Sequence, residues 1–225
     1  MPDNKIHVYL MPGMAANSSI FDGLQLPPET FVTHKLDWFL PKKKMSLNAY
    51  AHEMLKQVRH ESPVLVGVSF GGQLVQEMAK IIDTRKVIII SSVKSKKEMP
   101  KKMIFAKYTK AHKLLPTGMV TNIELLVKYA FGENVNKRLE LYEKYLSIRD
   151  KAYMDWAIDT MVNWNQEEPL PNVVHIHGEL DNVFPIGNIK DCIPVKNGKH
   201  AMIVYRAKWF NENLPAIILE EGSSI

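Results

Sequence analysis

The sequence predicts an α/β fold, namely a doubly wound, mostly parallel six-stranded sheet with a helical insertion. Strand-like apolar runs alternate with amphipathic helical segments as far as residue 92, and the alternation resumes at residue 172. The interval 93–171 has little strand signal and several helical segments. We therefore expect residues 1–92 and 172–225 to form the core and residues 93–171 to form a helical lid or cap.

Six segments have strand character, and they are Lys5–Leu10, Phe31–Trp38, the run that begins at Val64, Lys86–Ser92, Asn172–His177 and Asp191–Val195. The apolar centre of the fourth, Val87–Ile90, is typical of a parallel strand that is covered on both faces. Apolar residues at helical spacing mark seven further segments, which are 47–58, Gln73–Ile82, Ile123–Ala130, Lys137–Arg149, Tyr153–Trp164, Ala201–Asn213 and Ala216–Glu221. Ser46 is the expected N-cap of the first helix. The polar segment Asn165–Pro171, with its two prolines, is expected to link the insertion back to the sheet.

The single cysteine, Cys192, excludes an internal disulfide and favours a reducing compartment. It lies in an apolar strand-like run, so we interpret it as a small core residue rather than a reactive thiol. No apolar stretch approaches the roughly 18 residues that cross a bilayer. The amino-terminal residues lack the layout of a secretory signal, and we expect a cytoplasmic protein.

The net charge of +5 raises the question of an anionic partner. Much of the excess lies in Lys94–Lys113, where Glu98 is the one acidic residue and arginine is absent. A solvated helix face explains this pattern best, and we expect no nucleic-acid partner. The alternatives for the lysine segment are a site for anionic substrates and a contact with a membrane surface.

Residues 64–72 join an apolar run to a single serine and three glycines. Ser69 is predicted at the apex of a sharp turn between a strand and a helix. Side chains two residues before and after the apex would collide with neighbouring backbone, which explains Gly67 and Gly71. The Phe70 amide, at the start of the helix, would then be free to donate to an anion. The alternative is a glycine-rich joint whose serine caps the helix.

A serine is activated at neutral pH by a base within hydrogen-bond reach and a third group that orients the base. In an open parallel sheet these partners come from loops at the same carboxyl edge as the serine. The loop after Asn172–His177 contains Asp181, and the loop after the last strand contains His200. Glu179 is the alternative acid. The structural alternatives are an Asp181 that caps a turn and a His200 that only packs at a helix start.

Taken together, these motifs resemble the α/β-hydrolase family over nearly the whole core. The resemblance rests on the G-x-S-x-G turn Gly67–Gly71, the H-G-x-x-D-x-x-x-P loop His177–Pro185 and the G-x-H-x-M sequence that ends at Met202. It implies that Ser69 is the nucleophile, Asp181 the acid and His200 the base.

The resemblance also implies a helical lid and an oxyanion hole built from backbone amides. The family usually has His-Gly after its third strand, whereas this chain has Pro12-Gly13, so the amide donors would be Met14 and Phe70. Only Met1–Asn4 precede the first strand, so we expect the hydrolase core without the family's first two strands.

The remaining histidines do not suggest a further site. His177 is expected to be structural or to bond within its loop. Five others have no matching partners in the sequence, namely His7, His34, His52, His60 and His112. We therefore predict no metal site, and without a glycine-rich phosphate loop we predict no cofactor.

The sequence thus predicts a serine hydrolase that cleaves a small ester, thioester or related acyl substrate. C–C bond hydrolysis, acyl transfer and peroxide chemistry on the same fold remain open, and so does a ligand-binding protein with slow or no turnover. A lipid-directed hydrolase that docks through its lysine segment is a further alternative. The candidate substrate-binding residues are Met103, Phe105, Tyr129, Trp156 and Met161.

Overall fold

The computed structural model describes residues 5–110 and 144–220, which form a parallel sheet flanked by helices. The strands are β1 (Ile6–Met11), β2 (Phe31–Lys35), β3 (Val64–Val68), β4 (Lys86–Ile90), β5 (Val173–Gly178) and β6 (Ile193–Val195). Their order across the sheet is β2-β1-β3-β4-β5-β6, and all five neighbouring pairs are parallel. This confirms the predicted six-stranded α/β fold.

The register of the central strands brings three carboxyl ends together. Met11 of β1 pairs with Gly67 of β3, and Gly67 pairs with Ile89 of β4. Leu65 and Ile89 have no exposed surface, because helices cover both faces of the middle of the sheet. The loops that follow β1, β3 and β4 therefore begin side by side at one buried edge.

The helices of the described residues are α1 (Leu47–Leu55), α2 (Phe70–Ala79), α3 (Lys101–Thr109), α4 (Lys151–Asn163), α5 (Met202–Tyr205) and α6 (Ala207–Leu219). Ser46 caps α1 as predicted, since its side chain accepts from the Ala49 amide at 3.1 Å. Within these residues no helix combines the length and apolar character needed to cross a membrane.

The predicted helices Ala201–Asn213 and Ala216–Glu221 were wrong in their bounds. The chain bends at Arg206, and α6 then continues through Pro215, where the sequence suggested an interruption. The buried residues Phe210, Leu214 and Ile217 keep one apolar stripe along α6, and this packing outweighs the backbone hydrogen bond that a proline removes.

The predicted helix Lys137–Arg149 was wrong at its carboxyl end. Of its described residues only 144 and 145 are helical, and 146–149 are not. The predicted helix Ile123–Ala130 lies outside the described residues.

The segment 93–171 is joined to the core by polar contacts. Trp164, which follows α4, donates its indole N–H to Glu77 Oε1 of α2 at 2.9 Å. The Gln166 side chain donates to Gln76 Oε1 and to the Lys94 carbonyl oxygen. These bonds hold the segment through which the chain returns to the sheet. The role of residues 93–171 as a lid remains a prediction.

The lysine segment is less uniformly solvated than expected. Lys94 is buried and its ammonium donates to the Asp191 carbonyl oxygen at 3.1 Å. Acidic residues beyond the segment pair with two further lysines, in the ion pairs Lys96–Glu167 and Lys97–Glu168. Lys101, Lys102 and Lys110 are exposed as predicted, and a membrane contact through Lys94–Lys113 remains a prediction.

Lys86, at the start of β4, fastens the end of α6 to the sheet. Its buried ammonium donates to the carbonyl oxygens of Ile217 and Glu220, which the helix leaves unpaired. Partial burial lowers the pKa of Lys86, and the two carbonyl groups supply the hydrogen bonds that its ammonium loses with water.

We expect Lys86→Met to lower the free energy of unfolding by about 1–3 kcal/mol, because it leaves the buried Ile217 carbonyl and the part-buried Glu220 carbonyl without this donor. Lys208→Met is the matched control, since Lys208 is exposed on α6 and its Nζ lies 3.8 Å from Glu212 Oε1. This substitution should change the free energy of unfolding by about 0.5 kcal/mol or less. Urea denaturation measures both. Equal losses in the two variants would contradict this role for Lys86.

Candidate active site

Ser69 occupies the turn between β3 and α2 in a strained conformation. Its φ of 53° and ψ of −121° are values that a non-glycine residue rarely adopts. The Ser69 amide donates to the Ile90 carbonyl oxygen at 2.9 Å, and its carbonyl oxygen accepts from Ser92 Oγ at 2.7 Å. These bonds hold the backbone of the turn from the neighbouring strand β4.

The glycines around Ser69 are required by the close approach of backbone segments. A Cβ on Gly67 would overlap the carbonyl group of Gly71, and a Cβ on Gly71 would overlap the Pro12 carbonyl oxygen in the loop after β1. A Cβ on Gly72 would overlap the Ser92 side chain. Collisions of this kind were expected at Gly67 and Gly71, and the structure identifies the atoms involved.

The three predicted triad residues lie in one line of hydrogen bonds. His200 Nε2 is 2.9 Å from Ser69 Oγ, and His200 Nδ1 is 2.9 Å from Asp181 Oδ2. All three residues are buried, with 9 % of Ser69 and 7 % of His200 exposed. The alternative acid, Glu179, instead accepts from the Asn197 amide at 3.1 Å. This arrangement allows His200 to take a proton from Ser69 while Asp181 orients the ring.

Asp181 is held as a carboxylate by its neighbours. Burial alone would raise the pKa of the Asp181 carboxyl, but the charge of His200 and the hydrogen bonds from His200 and the Phe184 amide lower it overall. Its Oδ1 accepts from the Val183 amide at 2.8 Å and from the Phe184 amide at 2.9 Å. Asp181 therefore caps a turn, which was its structural alternative, and contacts His200 at the same time.

Two buried histidines support the Asp181 loop from behind. His177 Nε2 donates to the Phe184 carbonyl oxygen at 2.8 Å, so its Nδ1 accepts from His175 Nε2 at 2.9 Å. Burial lowers the pKa of both imidazoles, so both rings are neutral at pH 7. They fix the loop without placing a second cation beside Asp181.

The loop after β1 lies against Ser69, as the predicted oxyanion hole requires. A Cβ on Gly13 would be 3.4 Å from Ser69 Cβ. The Gly13 carbonyl oxygen accepts from the indole N–H of Trp38 at 2.8 Å. Because the carbonyl and amide of a trans peptide point in opposite directions, this bond also sets the direction of the Met14 amide. The role of Met14 and Phe70 as oxyanion donors remains a prediction.

Sequence reasoning missed the role of Trp38. The predicted second strand extended to this residue, whereas β2 ends at Lys35. Trp38 is buried and its ring stacks on Phe70, with centroids 5.0 Å apart and an angle of 8° between the planes. Trp38 therefore contacts both peptide segments that would hold the oxyanion, and no local pattern in the sequence indicates this contact.

The structure places the predicted substrate-binding residues in different environments. Trp156 of α4 lies edge-on to Phe70, the residue after Ser69, with ring centroids 5.8 Å apart. Met103 of α3 and Met161 of α4 are buried in the core. Phe105 is 67 % exposed on α3, so a lining role for it has no support from its position. Tyr129 lies outside the described residues.

Comparisons with known proteins find matches among solved structures. No protein-family model and no curated protein sequence matches the chain. An esterase from Exiguobacterium antarcticum is 16 % identical, with a TM-score of 0.70 over 96 % of this chain and 93 % of that one. A bromoperoxidase from Bacillus anthracis is 16 % identical, with a TM-score of 0.73 over 96 % and 92 % of the two chains. A lipase-esterase related protein from Clostridium acetobutylicum is 17 % identical, with a TM-score of 0.65 over 96 % of each.

The chain has the α/β-hydrolase fold. Structural similarity covers nearly all of it, whereas the identity is too low to transfer a reaction or a substrate. In an α/β-hydrolase fold the loops at the carboxyl ends of the strands are the place where a site is expected. Ser69, Asp181 and His200 all lie on such loops, which follow β3, β5 and β6.

We expect Gly71→Ala to lower the free energy of unfolding by about 1–3 kcal/mol, since the new methyl group would displace the Pro12 carbonyl from the turn. Gly187→Ala is the matched control because a Cβ there meets no atom within 4 Å, and it should be neutral within about 0.5 kcal/mol. Thermal or urea unfolding compares the two. If Gly71→Ala were as stable as the control, the close approach would not constrain this turn.

Proposed function

We propose that this chain is a serine hydrolase that cleaves a small ester, thioester or related acyl compound through an acyl-enzyme on Ser69. The observation that supports the proposal is the hydrogen-bonded line from Ser69 through His200 to Asp181. A glycine-rich joint with a capping serine does not account for it, since Ser69 makes no side-chain bond to the backbone of α2. Such a joint also requires neither a buried base nor a buried carboxylate.

In the proposed reaction His200 Nε2 removes the proton of Ser69 Oγ as the oxygen attacks the acyl carbon. The amides of Met14 and Phe70 stabilise the negative charge on the former carbonyl oxygen. His200 then gives its proton to the leaving group, the bond to that group breaks, and the acyl-enzyme remains. A water molecule, deprotonated by His200, attacks the acyl carbon, and the proton returns to Ser69 as the acid leaves.

The burial of the site favours this chemistry. Ser69, His200 and Asp181 are nearly excluded from water, where a hydrogen bond to a developing charge is worth more than at the surface. Asp181 stabilises the imidazolium that forms during the reaction, and its lowered pKa keeps it ionised well below neutral pH. Asp181 therefore supplies one negative charge beside the ring of His200 when that ring becomes positive.

The named neighbours agree with this reaction class without fixing it. Two of the three reported structures are called an esterase and a lipase-esterase related protein, and the third a bromoperoxidase. One fold supports several chemistries, so the proposal depends on the geometry of the triad rather than on these names. A binding protein with slow or no turnover is the outcome that the following experiments would reveal.

We expect the protein to be labelled by a fluorophosphonate and to hydrolyse p-nitrophenyl esters with an optimum in acyl chain length. Ser69→Ala should abolish labelling and lower kcat by a factor on the order of 10⁴ or more. Ser147→Ala, which changes an exposed serine, should alter neither. Folded protein that neither reacts with the probe nor hydrolyses any ester would overturn the proposal and favour the binding protein.

We expect Asp181→Asn to lower kcat by a factor on the order of 10⁴, because an amide at this position favours the wrong tautomer of His200. Glu179→Gln serves as the control, since Glu179 lies two residues away and contacts Asn197 instead of His200. It should leave kcat within about twofold of the parent protein. A larger loss in Glu179→Gln than in Asp181→Asn would assign the acid to the other residue.

We expect Trp38→Phe to lower kcat for the best ester by about 3- to 10-fold with KM little changed, because it removes a hydrogen bond of about 1 kcal/mol that orients the Met14 peptide. Trp209→Phe is the matched control on α6, where Trp209 packs edge-on against Phe210. Steady-state kinetics of both variants, with circular dichroism to check folding, make the comparison. If KM changed by this factor while kcat stayed the same, Trp38 would instead be assigned to substrate binding.

A further inference from the structure

Three histidines that are far apart in the sequence meet at one side of the sheet. His7 belongs to β1, His34 to β2, and His60 to the loop between α1 and β3. One ring nitrogen from each lies within 4.8 Å of the others, and all three residues are half-buried. The sequence suggested no partners for these histidines and no metal site. The absence of partners was wrong, because the structure brings the three rings into contact.

The parallel pairing of β1 and β2 explains the contact of the first two rings. Tyr9 pairs with His34 in register, and His7 lies two residues before Tyr9 on the same face of β1. His7 Nδ1 and His34 Nε2 are 3.0 Å apart. His60 approaches from the adjacent loop, and its ring stacks on His7 with centroids 3.4 Å apart.

Tyr9 provides the hydrogen bond that orients one of these rings. Its buried hydroxyl group is 2.7 Å from His60 Nδ1 and accepts from the Arg59 amide at 3.0 Å. A phenol oxygen has two lone pairs, so it can also accept from a protonated Nδ1. In that tautomer His60 presents the lone pair of Nε2 to an ion, which is the arrangement common among metal-binding histidines.

We propose that His7, His34 and His60 bind a divalent transition-metal ion such as Zn²⁺. Imidazole nitrogen is a preferred ligand of zinc, copper and nickel, whereas calcium and magnesium require oxygen ligands. Three nitrogens leave a fourth tetrahedral position for water. Partial burial and the neighbouring His60 and His7 lower the pKa of His34, which favours the neutral ring that binds metal.

Binding requires a small rearrangement of side chains. Zinc–nitrogen bonds of 2.0–2.1 Å place tetrahedral ligand atoms about 3.3 Å apart, closer than the 4.8 Å limit of the cluster. The stacked rings of His7 and His60 cannot both direct a lone pair at one ion, so one of them must turn. Both residues are partly exposed to solvent.

The ion would fasten the edge of the sheet and stay apart from the triad. β2 is an edge strand, and the cluster connects it to β1 and to the loop before β3. His7 lies four residues before Met11 on β1, which is about 13 Å along the strand. Met11 is at the end of β1 that lies beside the Ser69 turn. We therefore expect the metal to raise stability without taking part in hydrolysis.

Zinc binding is measured by competition with a chromophoric chelator, using the 225-residue protein after treatment with EDTA. We expect one ion per chain and a rise in Tm of about 5 °C when free Zn²⁺ is one hundred times Kd. His34→Ala and His60→Ala should each weaken binding at least tenfold. His52→Ala, which changes an exposed histidine of α1, should bind as the parent protein does.

Two further variants test whether the ion is held by this cluster and not by the triad histidine. Tyr9→Phe keeps all three imidazoles and removes only the hydroxyl group beside His60, so binding should weaken by about tenfold. His200→Ala should retain full affinity, since the triad lies elsewhere. Circular dichroism confirms that each variant is folded. The proposal is overturned if no ion binds, if His34→Ala binds as tightly as the parent, or if His200→Ala is the variant that loses the ion.

Discussion

The close approach of backbone segments around Ser69 is the constraint on which the rest of the site depends. Three chain segments meet there with no room for a Cβ at Gly67 or Gly71, and the Pro12 carbonyl lies directly against the turn. This contact brings the loop after β1 beside Ser69, whose φ lies in the strained positive region. The energy that stabilises this conformation comes from the surrounding sheet, whose central strands are fully buried.

The electrostatics of the site follow from a small number of buried charges. Asp181 is the acid that contacts His200, and its negative charge is stabilised by two backbone amides and by the imidazole itself. The histidines behind it are neutral because burial disfavours their charged form. The neutral histidines thus hold the Asp181 loop in place by hydrogen bonds and add no charge to the site.

Much of the fold was predictable because its signals are local. The strands have short apolar runs, the helix start at Ser46 has its cap, and the glycines around Ser69 report a turn that only a few residues can form. The triad could be proposed because parallel strands place the loops that follow them at one edge. The loops after the last two strands then offered His200 as the base and Asp181 as the acid, with Glu179 as the alternative acid, and the contact between Asp181 and His200 agrees with the first choice.

The features that were missed depend on pairing between distant segments. The meeting of His7 with His34 is set by the register of β1 against β2, and no spacing along the chain encodes that register. The bond from Trp38 to Gly13 likewise joins two loops. The continuation of α6 through Pro215 reflects tertiary packing that outweighs a local preference.

The anchoring of α6 by Lys86 has a practical meaning for attaching the protein to something else. Lys86 begins β4, so the carbonyl oxygen of Glu220 that it holds is at the amino edge of the sheet, opposite the edge where Ser69 lies. A fluorescent label, an immobilising linker or a fused partner attached at the exposed Glu220 would be separated from Ser69 by the length of β4.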